Sequence, residues 1–84
     1  MLLPRIHLNG SDPDQLFQGY MVALEKAQEA LQALRAVDVN GRDYYPLGGN
    51  AVAEALEEHR ARCGKLQSII DDLSAIAEHI DERR

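Results

Sequence analysis

Residues 16–34 read LFQGYMVALEKAQEALQAL, and this stretch decides the fold. Phe17, Tyr20, Leu24, Ala27, Leu31 and Leu34 recur at alternating spacings of three and four, the signature of a helix whose apolar seam faces another helix. A second row, Leu16, Ala23, Ala30 and Val37, flanks the first at intervals of seven and widens the stripe enough to touch more than one neighbour. Glu25, Lys26, Gln28, Glu29, Gln32 and Arg35 fill the remaining face with good helix formers.

Upstream, Asp12 is placed to cap this helix, Pro13 to open it and Gln15 to complete a capping box, with Asp14 adding negative charge where the helix dipole favours it. Residues 1–11 are expected to form an arm: Pro4 is incompatible with a helix interior, and Ile6-His7-Leu8-Asn9 alternates like a short strand. Downstream, residues 38–49 contain Asn40-Gly41, Pro46 and Gly48-Gly49, which is turn chemistry, and read as a loop. Asn50 is then the expected cap of a second helix running to about residue 82, with Val52, Leu56, His59, Cys63, Leu66, Ile70, Leu73, Ala77 and Ile80 as its seam.

The expected fold is therefore all-α. An antiparallel, coiled-coil-like two-helix hairpin (residues 12–82, helices at about 12–37 and 50–82) follows a short N-terminal arm (1–11). A tight loop pairs Leu34 with Val52, Leu31 with Leu56, Ala27 with His59, Leu24 with Cys63, Tyr20 with Leu66 and Phe17 with Ile70. That register leaves Leu73, Ala77 and Ile80 beyond the first helix, to be covered by Ile6 and Leu8 of the arm. Phe17, Leu24, Leu31, Leu56, Leu66, Ile70 and Leu73 would hold the hairpin. Leu16, Val37, Ile69 and Ile76 flank its seam, and two helices alone do not bury them, so a homodimer forming a four-helix bundle is expected. Arg62 shares the row of Ile69 and Ile76, and the apolar dimer seam should fade toward the loop.

Composition narrows the function. At 84 residues there is room for one domain with a marginal core. A formal charge of -5 lacks the clustered positive field that phosphate backbones require, so nucleic acid is not an expected ligand. The one cysteine, Cys63, excludes an intrachain disulfide framework, fits a reducing compartment, and leaves only an intersubunit bridge open. No apolar run approaches the roughly 20 residues that span a bilayer, so no membrane partner is expected; the reading is cytoplasmic, or part of a larger particle.

His59 and Cys63, four apart on one helix face, are the candidate metal ligands, but zinc needs more than two, and both sit on the seam. The plainer reading is a core pair, with Ala27 opposite leaving room for the imidazole and Cys63 acting as a small hydrophobe; a pH-responsive bundle is the related alternative. His7 and His79 would approach each other if the arm folds back, without a third partner. No catalytic residue or cofactor is expected. No serine has a glycine-flanked elbow and there is no phosphate-binding glycine-rich loop, Leu56 stands where a Glu-x-x-His motif would need its glutamate, and Asp71 and Asp72 point apart. An acidic helical surface can also mimic DNA toward a basic enzyme, a third alternative. The most distinctive segment is Arg42-Asp43-Tyr44-Tyr45-Pro46. Exposed tyrosines beside arginine suit contact with a protein partner, while one tyrosine can close the end of the bundle.

Asn-Gly-Arg-Asp-Tyr-Tyr-Pro at 40–46, set between two amphipathic helices and preceded by Ile-His-Leu-Asn-Gly at 6–10, resembles small proteins of phage and prophage origin. The resemblance spans nearly the whole chain and implies a phage accessory or assembly role without catalytic residues. A non-enzymatic interaction protein, dimeric and with Arg42, Tyr44 and Tyr45 as partner contacts, is the leading expectation.

Overall fold

The structure, a computed structural model, describes residues 1–7, 10 and 12–84. Helix α1 spans Pro13–Arg35, a short α2 spans Gly41–Tyr44 and continues into a 3₁₀ turn at Tyr45–Leu47, and α3 spans Ala51–Asp81. The chain is helical as expected, with no strand among the described residues, and is elongated, 61 × 20 × 17 Å. The strand-like alternation at Ile6-His7 forms no strand; Leu8 and Asn9 lie outside the described residues.

The start of α1 follows from its sequence. Asp12 caps it, its carboxylate accepting from the Asp14 backbone N–H at 2.9 Å, and Pro13 is the first helical residue, where a missing N–H costs nothing. Asn50 stands at the cap position of α3, its carbonyl accepting from the Glu54 N–H at 2.9 Å, but its side chain makes no capping bond. Gly48 and Gly49, with φ of 72° and 54°, feed the helix through a left-handed turn. They leave Asn50 at φ -97°, ψ 19°, away from the extended geometry that aims a cap side chain at the first turn. The Ala51 N–H goes instead to the Gly48 carbonyl at 3.2 Å.

The core lies where α1 and α3 touch. Leu24, Leu31 and Ile70 are buried together, with Ala27, Cys63, Leu66 and Leu73 packed around them. Each large side chain so removed from water contributes about 1.5–3 kcal/mol. The Arg84 guanidinium reaches Asp14 at 2.9 Å and lies 4.0 Å over the Phe17 ring. At the other end of α1, Arg35 shares a shallow groove with His59, Cys63 and Gln67.

These contacts correct the expected register. Ala27 packs against the cluster holding Ile70, not against His59, and Phe17 meets Arg84, not Ile70. The offset is about eleven residues, close to three helical turns, and a slip of whole turns returns the same apolar rows to the seam. Leu73, Ala77 and Ile80 thus lie within reach of α1, and Ala77 and Ile80 are buried, Ile80 completely. The overhang falls at the opposite end, where the first turns of α3 extend past α1.

The connecting segment fills that end. A short α2 stands where a loop is expected: Asn40 caps it, accepting from the Arg42 N–H at 3.0 Å. It packs against the first turn of α3, close enough that a Cβ on Gly41 would meet Val52 at 3.8 Å. At the far end the arm folds back on α3 through a 2.8 Å hydrogen bond between His79 Nε2 and the Pro4 carbonyl, which requires the proton on Nε2. His79 therefore pairs with backbone rather than with His7, whose ring lies against Gly10.

Candidate functional site

Asn40, through its cap, and Gly48-Gly49, through their left-handed backbone, fix the connecting segment on Val52. Two shallow grooves result. One is lined by Tyr44, Tyr45, Gly48, Gly49 and Val52, and the other by Asn40, Gly41, Arg42, Tyr45 and Val52. Tyr45, common to both, is 83% exposed, and Leu47 beside it is also exposed. Tyr44 is half-buried and Arg42 exposed. The segment thus divides its tyrosines: Tyr44 is partly withdrawn against the helix, and Tyr45 is presented to solvent. An aromatic ring, an arginine and an apolar edge on one small surface are groups that carry energy in protein interfaces.

The second group lies along the flank of the seam. Ile69 is 51% exposed and Val37 53%, while Leu16 and Ile76 are half-buried. Seven-residue spacing puts Ile69 and Ile76 on one face of α3, whereas Val37, expected within the first helix, lies two residues past the end of α1 and shares no helix face with Leu16. Met21 and Val22 are also exposed on α1.

His59 and Cys63 do come together. The Cys63 Sγ lies 3.9 Å from His59 Nε2, both half-buried, in a groove that also holds Arg35 and Arg60. Among the described residues no group of three or more His, Cys, Asp or Glu side chains is placed to hold a metal. The two arginines add positive charge where a cation would sit.

Two contacts have only a faint mark in the sequence. Arg84 is held by Asp14 and Asp81, whose hydrogen bonds raise its guanidinium above the ordinary arginine value. The bond from His79 to Pro4 ties the arm down. A terminal arginine and a proline carbonyl carry no periodic signal.

No family model, curated protein or solved structure matches the chain. No helix among the described residues is long and apolar enough to cross a membrane.

Proposed function

We propose that this chain is a non-enzymatic interaction or assembly protein: an antiparallel helical hairpin that dimerises into a four-helix bundle through Leu16, Val37, Ile69 and Ile76. It offers Arg42, Tyr44 and Tyr45 to a protein partner. By the resemblance of its connecting segment and opening, the role is an accessory one in a phage or prophage, in the cytoplasm or within a particle. The observation that carries the reading is Ile69, a large β-branched side chain left 51% exposed midway along α3, on the flank of its buried seam. Its mechanism is presentation of a rigid surface. Light scattering on the purified chain tests it: a mass of twice 9.4 kDa supports the dimer, and a monomer removes it.

A second reading rests on the 3.9 Å approach of Cys63 to His59, a two-ligand start for a zinc site or a pH-responsive bundle. Arg35 and Arg60 in the same groove weigh against it. Metal analysis of untagged protein, with thermal melts in the presence and absence of chelator, decides it: no metal and no chelator effect end this reading.

A further inference from the structure

Two antiparallel helices present two flanks beside their seam. On one flank Gln28 and Arg35 of α1 stand with Arg60 and Gln67 of α3, lining the shallow grooves beside Leu31, Ile70 and Cys63. That flank is polar toward the connecting segment, with Met21 exposed in the same row of α1 nearer the other end. The other carries Ala23 and Ala30 of α1, both exposed, and Ile69 and Ile76 of α3. The register marked by Arg84 on Asp14 and by the Leu24, Leu31 and Ile70 cluster brings Ile76 level with Ala23 and Ile69 level with Ala30. A large side chain therefore stands beside a small one at both levels, with Arg62 and Arg83 of the same row at the two ends.

The elongated chain leaves more surface open than a compact protein of its mass does. The chain exposes 6372 Å². A compact protein of 9.4 kDa exposes about 5,000 Å². The excess, roughly 1,400 Å² spread over the whole chain, leaves room for the 800 Å² or so that each partner gives to a stable interface.

Resting on the dimer reading above, we infer that the second copy sits on this apolar flank with the two-fold axis parallel to the long helices. Ile69 and Ile76 of each copy then enter the hollows over Ala30 and Ala23 of the other, large against small at every level. Both connecting segments lie at the same end, so the assembly presents two Arg42–Tyr45 surfaces side by side and can engage a partner bivalently. The reversed dimer, with its axis across the helices, sets Ile69 on Ile76 and Ala23 on Ala30, which spaces the four helices unevenly. It also brings Arg62 of one copy against Arg83 of the other, and like charges so opposed disfavour that pairing.

The test is a pulsed electron-paramagnetic-resonance distance between spin labels on Arg42→Cys in a Cys63→Ser background, with helicity checked by circular dichroism. Arg42 shares a groove with Val52, about twenty residues from the centre of the apolar row. Reversed copies therefore hold the labels about 60 Å apart at 1.5 Å per residue. The parallel axis holds them within the width of the bundle, roughly 30 Å for helices spaced 8–10 Å apart. A distance near 30 Å supports the inference. A dimer with the long distance overturns the orientation but keeps the dimer, and a monomer with no dipolar signal overturns both. A second variant, Glu54→Cys, on an exposed position in the first turn of α3, must give the same ordering of distances.

Discussion

Arg84 closes a contact with Asp14 across seventy residues, its guanidinium 2.9 Å from the carboxylate and 4.0 Å above the ring of Phe17. This pairing marks the register of the two long helices. It places the end of α3 against the first turn of α1 and leaves the first turns of α3 to the connecting segment.

Stability should follow that register. Ile80 and Ile70 are buried, Ile80 completely, whereas Leu56 lies half-buried in the overhang. Ile70→Ala and Ile80→Ala are each expected to cost about 2–5 kcal/mol, and Leu56→Ala clearly less. Chemical denaturation followed by circular dichroism measures all three. Equal costs for Leu56→Ala and Ile70→Ala, with little effect of Ile80→Ala, would restore the tight-loop register.

The glycines should divide by backbone geometry. Gly48 adopts φ 72° and ψ 178°, a region nearly closed to other residues, and Gly48→Ala should destabilise by about 1–3 kcal/mol. Gly64 lies inside α3 with open space around its Cα. Gly64→Ala should therefore raise stability by about 0.5–1 kcal/mol. Thermal melts of the two variants should move in opposite directions.

The two tyrosines should separate binding from folding. Tyr45→Ala removes an 83% exposed ring and should leave the melting temperature within about 2–4 °C, since surface changes stay near ±0.5 kcal/mol. Tyr44→Ala, from a half-buried position, should lower it measurably. In co-purification with a partner, Tyr45→Ala is expected to weaken capture of that partner while helicity is retained. A strongly destabilised Tyr45→Ala would instead make that ring part of the fold.

What the sequence made legible tracks what is local. Asp12-Pro13 specified a helix start because cap chemistry acts within one turn, and the rows at Leu24, Leu31 and Ile70 identified a buried seam because periodicity is a property of one helix at a time. Register is not local. Sliding α3 by about three turns along α1 returns apolar residues to apolar residues, so the pattern alone does not separate Ala27 against His59 from Ala27 against Ile70. The short α2 did carry a signal, since Asn40 stands three residues before Asp43 as a cap stands before an acidic third position, but Asn-Gly and Pro46 outweighed it as turn markers. Asn50 had the right chemistry in the wrong backbone geometry, which depends on the two glycines before it.

The exposed flank at Ile69 bears most directly on the proposed dimer. Light scattering coupled to size-exclusion chromatography should be run on wild type and on the double variant Ile69→Glu, Ile76→Glu. The dimer reading predicts a wild-type mass of twice 9.4 kDa and a helical, monomeric variant, because charges placed on the buried rows of a bundle prevent its association. A monomeric wild type, or a variant that remains dimeric, would contradict it.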